Sequence, residues 1–150
     1  MATRHETLIP LTHDHHHALA QAKKLHDVGK MTDQGERRNL ANDFLNFYFG
    51  RAVRHFHEEE ELFFAPLIDE PEARDLVLRA VSDHLRIHAL VRTVKRQLTD
   101  GEADQETLGE ISRILTEHVR FEEKELFPLV ERLIPEEQLE DLATAGRRDV

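Results

Sequence analysis

The chain has 150 residues, 30 of them acidic against 20 basic, a formal charge of −10 and no cysteine. That length suits one domain with a single sizeable core. The missing thiols exclude disulfides, iron–sulfur clusters and thiolate zinc sites, and the acidic balance excludes a phosphate-neutralising nucleic-acid surface.

Apolar residues recur with a helical period along the chain. A first helix is predicted from about Thr12, a good N-cap residue, to about Val28, with Ala18, Ala22 and Leu25 on one face and Gly29 as its stop. Gly29 to Gly35 reads as a loop. A second helix runs from about Glu36 to Ala65, its inner stripe being Phe44, Tyr48, Ala52, His55, Glu59 and Leu62, and Pro66 and Pro71 close it. A third runs from about Glu72 to Leu98 with Val77, Val81, His84, His88, Val91 and Leu98 inward. Asp100 and Gly101 make the clearest turn. A fourth covers about Gln105 to Leu133 with Ile111, Leu115, His118, Glu122, Leu126 and Leu129 inward, and Pro128 is expected to bend or end it. Pro135 opens a short last helix resting on Leu139 and Leu142, and the tail after Gly146 frays.

No segment alternates like a strand. The expected fold is all-α: an antiparallel up-down-up-down four-helix bundle with its core over about 11–133 and a short C-terminal helix over 135–146, in one domain spanning 1–150. No apolar stretch reaches membrane-spanning length, and the N-terminus lacks the apolar core of a signal peptide, so the cytoplasm is the expected location and no membrane partner is expected. A weak repeat relates HFHEEEELFF at 55–64 to HVRFEEKELF at 118–127.

The 11 histidines are not scattered. His55 and Glu59, His84 and His88, and His118 and Glu122 each stand four residues apart, which puts each pair on one helix face. A surface ion pair would explain any one of them. Surface pairing fails for all three, because each falls on the stripe that faces the core, where ionisable groups are rare unless paired or metal-bound. Imidazole and carboxylate donors suit iron or manganese better than structural zinc. The first helix should add a ligand, and His15 lies closest in angle to Ala18, Ala22 and Leu25, with His16 as the alternative. His5, His13, His16, His17 and His57 are expected to face away from the site, and His26 to be a core or boundary residue. Glu58, Glu60, Glu61, Glu123 and Glu125 are solvated or hydrogen-bond to outer nitrogens of the ligand histidines. Phe44, Phe47, Phe49, Phe56, Phe63, Phe64 and Phe127 are expected to pack the core.

This ordered set, His15 in HDHH, then His55-x-x-x-Glu59, His84-x-x-x-His88 and His118-x-x-x-Glu122, resembles the hemerythrin family with its HHE-type cation-binding domains, over about Leu11 to Leu133. The resemblance implies two non-heme iron ions, oxo- or hydroxo-bridged. His84, His88 and His118 would ligate one, His15 and His55 the other, and Glu59 and Glu122 would bridge them. The chain departs from the family's oxygen carriers, where an Asp follows the last His by five residues. Here Glu123 has that offset and Glu122 stands four after His118, so Glu122 is preferred and Glu123 stays the alternative. The ion with two histidines is one ligand short, and Leu115 and Ile114 are expected to wall that open position. The implied function is binding of dioxygen or a related diatomic or peroxide ligand for storage, delivery or sensing. The alternatives are an oxidoreductase acting on peroxide or nitric oxide, and iron sensing or repair of iron centres. Nothing in the sequence singles out a protein partner.

Overall fold

The computed structural model describes residues 4–27 and 33–147, with side chains described as far as Asp141. The expected stop at Gly29, the contact of Leu142 and residues 148–150 of the tail lie outside what is described.

Helix α1 spans Ile9–Asp27. It begins ahead of Thr12 because Pro10 is well placed in a first turn, where an N–H has no partner to lose. The second rod, 34–67, starts at α2 (Gln34–Phe47), capped by the Asp33 side chain, which accepts from the Gly35 N–H. It continues through a π-helical turn (Tyr48–Ala52), α3 (Val53–Glu59), a second π turn (Glu60–Phe64) and α4 (Ala65–Leu67). Helix α5 (Arg74–Thr99) follows and ends at a turn where Gly101 takes a φ of +113°, a conformation other residues rarely adopt. The fourth rod, 105–133, joins α6 (Gln105–Phe121), a π turn (Glu122–Leu126) and α7 (Phe127–Leu133). Helix α8 covers Glu136–Arg147.

Pro128 does not break the fourth rod. In an α-helix a proline ring meets the carbonyl four residues back and leaves it without a donor. Here a π turn, whose bonds reach five residues back, stands directly before the turn holding Pro128, and another stands before Pro66. Each proline therefore sits in the first turn of a resumed α-helix. The second π turn also re-aims the inner stripe. Phe63 is fully buried, while Leu62, expected inward, is only half-buried.

Neighbouring rods pair with rising against falling numbers. Thr12 meets Glu123 and Ser112 meets Ala22, Tyr48 meets His88 and Arg38 meets Gly101, and His118 meets Asp83 and Thr107 meets Gln97. The fold is thus all-α, with no strand among the described residues. None of the described helices is long and apolar enough to cross a membrane.

The core divides into two apolar clusters. One holds Ala18, Ala22, Phe44, Phe56, Ile87 and Leu115; the other holds Leu8, Leu11, Phe63, Val77, Leu126 and Phe127. Between them, along every rod, the buried residues are polar: His15, His55 and Glu59, Asp83 and His84, His118 and Glu122. Burial of apolar side chains above and below, each contributing roughly 1.5–3 kcal/mol, offsets the desolvation of that layer. Phe49, expected in the core, is 57% exposed beneath the Lys95 ammonium. It lies in the first π turn, next to Tyr48, which takes the buried position.

Candidate metal centre

Each rod delivers its polar residues to this layer at α-helical spacing, so the side chains of one rod stack on one face. Two groups of donor atoms result. One is His15, His55, Glu59 and Glu122, the other Glu59, His84, His118 and Glu122, and within each group all atoms lie within 4.8 Å of one another. The two carboxylates belong to both. Glu59 Oε2 is 3.2 Å from His55 Nε2, and Glu59 Oε1 is 3.2 Å from His84 Nε2. Glu122 Oε1 is 2.9 Å from His15 Nε2 and 3.1 Å from His118 Nε2.

Both oxygens of Glu59, Oε2 of Glu122 and the Nε2 atoms of His84 and His118 are buried without a hydrogen-bond partner. His15 Nε2 is hydrogen-bonded to Glu122 Oε1, but around these five atoms nitrogen and oxygen are close without being aligned for hydrogen bonds. Unsatisfied buried polar atoms cost about 1–3 kcal/mol each, more when charged, and native proteins rarely keep several together. A cation accepted by all of them removes that cost. The residues present therefore fit a metal pair, with Glu59 and Glu122 common to both positions.

The outer faces of the rings carry a further layer. The Nδ1 atom of His15 donates to Glu123 at 2.6 Å, that of His55 to Asp14 at 3.1 Å, that of His84 to Glu60 at 2.7 Å and that of His118 to Asp83 at 3.1 Å. A proton on Nδ1 fixes the tautomer that turns the Nε2 lone pair inward, which is the state a metal ligand needs. The sequence foresaw such a role for Glu60 and Glu123 but missed Asp14 and Asp83. Their signal was present: each directly precedes an inward histidine, as Asp14-His15 and Asp83-His84. Removing Asp83 or Asp14 by substitution with Ala is expected to weaken metal binding about 10–100-fold, read by competition with a chelator.

Of the seven residues expected as ligands, six converge. His88 belongs to neither close group and is only half-buried. Its Nδ1 is hydrogen-bonded to the Tyr48 hydroxyl, and its ring lies edge-on to Phe56 at 5.7 Å. His15 rather than His16 points inward, since His16 is exposed and stacks near His13. Glu122, not Glu123, reaches the inner face. His26 is exposed rather than at a boundary.

The layer's electrostatics follow from these contacts. Burial pushes the His15 imidazole down, but hydrogen bonds to Glu122 and Glu123 outweigh it and lift it to about 12. Burial likewise opposes protonation of His118 and His55. The charge of Glu122 with the bond to Asp83 lifts His118 to about 10, and the charge of Glu59 with the bond to Asp14 lifts His55 to about 9. Burial would raise Glu59, yet the charge of His55 and the nearby imidazoles hold it well below its ordinary value. His88 is lowered by burial and by the charge of His84.

These directions set a pH dependence for the metal-free protein. Histidines raised on folding stabilise fully below their ordinary value of about 6.5, and that contribution is lost as pH climbs through the folded values. Glu59 runs the other way, its contribution being lost only as pH falls through its depressed value. The metal-free Tm is therefore expected to fall from about pH 6.5 upward, most steeply below about pH 9, and to fall less steeply as His55, His118 and His15 lose protons in turn. Metal loading replaces those protons and abolishes the alkaline loss. Melts of both forms between neutrality and about pH 11 check this, and a level metal-free Tm across that range contradicts it.

The site has a quasi-two-fold arrangement. Helix α1 matches α5, and the second rod matches the fourth: His15–Glu123 corresponds to His84–Glu60, and His55–Asp14 to His118–Asp83. Its breaks are informative. Counting the same steps from the paired histidines, His88 stands opposite Leu19, Ile87 opposite Ala18, and Leu115 opposite Ala52. The smaller residues leave a cavity of about 10 Å³, room for the centre of one small molecule, against His15, His55 and His118. Ala18, Ala52, Phe47, Leu115 and Val119 give it an apolar wall. Leu115 lines it as expected. Ile114 does not, and instead closes a polar pocket by Asp83 on the opposite side.

A family model described as the hemerythrin HHE cation binding domain matches residues 7–130. No curated protein and no solved structure matches the chain.

Proposed function

Because the chain belongs to the hemerythrin HHE cation-binding family, we propose that it is a non-heme di-iron protein binding dioxygen or a related small ligand for storage, delivery or sensing. The observation carrying this reading is the buried layer of histidines and glutamates in which both Glu59 oxygens, Oε2 of Glu122 and the Nε2 atoms of His84 and His118 lack hydrogen-bond partners. In it, His84, His88 and His118 hold one iron, His15 and His55 the other, and Glu59 and Glu122 hold both. His88 joins through the spacing that puts it one turn from His84, with its outer nitrogen engaged by Tyr48 like those of the other four histidines. Manganese suits the same donors. Bound iron supplies reversible electron transfer to a small ligand at an open coordination position.

The chain's own residues do the rest. Outer carboxylates orient the rings, and the bridging glutamates neutralise the ions in a dry interior. The cavity, which His15, His55 and His118 line, supports a vacant position on the iron assigned only His15 and His55. Its wall of Ala18, Ala52, Phe47, Leu115 and Val119 limits water and the supply of protons to a ligand held there, the polar groups being the imidazoles and the Asp14–Arg51 pair at its outer end. That favours retention over turnover, since reducing peroxide consumes protons. Stopped-flow spectra of the reduced, iron-loaded protein mixed with dioxygen test this. A ligand adduct that persists without peroxide consumption supports the binding reading, and repeated turnover of added peroxide would replace it with the oxidoreductase.

A further inference from the structure

The apolar cavity is bounded by both buried and partly exposed residues. Its lining residues are buried except Asp14, Phe47 and Arg51. Asp14 and Arg51 also line a second, polar pocket further out, together with Gly50 and Arg54. The two pockets thus share Arg51 and Asp14, whose side chains form an ion pair at 3.3 Å where the linings meet. A Cβ on Gly50 would meet nothing within 4 Å, so the outer pocket is open above the pair.

The opposite side of the molecule shows what a permanent seal looks like there. Four residues before His118 stands Ile114, as Arg51 stands four before His55. The pocket by Asp83 is lined by Arg113, Ile114 and Glu117, the counterparts of Gly50, Arg51 and Arg54. Ile114 is 7% exposed and packed into the core, whereas the Arg51 side chain is 47% exposed. An apolar plug cannot leave without opening the core. An exposed ion pair can, because water and salt compete for both partners.

We propose that Arg51 is the residue that controls access of small ligands to the inner site, closing the path when paired with Asp14 and opening it when the pair breaks. The proposal rests on the di-iron reading. A gate changes the rates of arrival and departure by one factor and leaves the equilibrium between them untouched. Asp14 is unsuited as the variant, since its other oxygen orients His55.

Nitric oxide is the suitable probe. It carries no charge, so salt cannot steer it, and any salt dependence of its rates reports the ion pair. With the reduced, iron-loaded protein in stopped flow, Arg51→Ala should raise the association and dissociation rates together by about two- to fivefold, the factor an exposed pair is worth, with Kd unchanged. The unsubstituted protein should bind faster as ionic strength rises, and the variant should not. Arg51→Gln, which keeps length without charge, should behave like Arg51→Ala. Equal rates in all three proteins would overturn the gate while leaving the di-iron reading intact. A change confined to dissociation would overturn it too, by making Arg51 a ligand contact. No nitric oxide signal from the unsubstituted, iron-loaded protein would overturn both.

Discussion

Replacing Glu59 with Ala is expected to strip the protein of iron and to destabilise its fold. Glu59 is fully buried, and its two oxygens face three imidazoles, those of His55 and His84 at 3.2 Å and that of His15 at 3.7 Å. It belongs to both groups of donor atoms, so its loss removes a ligand from each. It also leaves imidazoles that hold protons well above the ordinary range with one buried carboxylate fewer. Removing one partner of a buried ion pair costs about 3–5 kcal/mol. Glu59→Gln keeps the shape and loses the charge, so it should lose iron as fully with a smaller drop in Tm. Elemental analysis of both variants beside the unsubstituted protein checks this. Full iron content in Glu59→Ala would remove the bridging carboxylate from the account.

The second large effect separates ligand binding from metal binding. Ala18 stands where the other half of the site has Ile87, and the missing side-chain carbons are part of the cavity beside His15 and His55. Ala18→Ile should fill that space. Overpacking costs about 1–3 kcal/mol, which a bundle with two apolar clusters is expected to tolerate. Iron content should stay the same, while affinity for azide in the oxidised protein and for nitric oxide in the reduced one should fall more than about tenfold, or 1.4 kcal/mol. Unchanged affinity would move the ligand position away from this cavity.

Much of this site was legible in the sequence, for a physical reason. Carboxylates and imidazoles are rarely placed on a core-facing stripe, so His55, Glu59, His84, His118 and Glu122 announced themselves by position alone. His15 followed from its angle to Ala18, Ala22 and Leu25. Helical periodicity and the Asp100-Gly101 turn located the rods. The π turns were not legible, because a period of 3.6 fits 34–67 and 105–133 closely enough to hide one wide turn. Two errors trace to them. Leu62 yields its inward place to Phe63, and Pro128 is absorbed without a break. Asp14 and Asp83 escaped notice because they lie off the ligand stripe and reach across to a histidine on a neighbouring rod. Such pairing depends on how rods pack, which one rod's periodicity does not encode. His26, judged from its neighbours Ala22 and Leu25, sits one step too far around α1 and faces solvent.

The match between halves links sequence to function. The repeat seen at 55–64 and 118–127 extends in three dimensions to Asp14-His15 and Asp83-His84, so the two ends of the metal layer are built alike. What distinguishes them is Leu19 for His88, and Ala18 and Ala52 for Ile87 and Leu115. Those exchanges leave one end without a counterpart of His88 and open space there.

Anomalous diffraction at the iron edge, from crystals of protein purified without a metal-chelate step, reads the layer itself. The account requires two iron peaks per chain between Glu59 and Glu122, one beside His15 and His55 and one beside His84 and His118. Peaks only at the exposed His13 and His16, or none where the carboxylates meet, would contradict it.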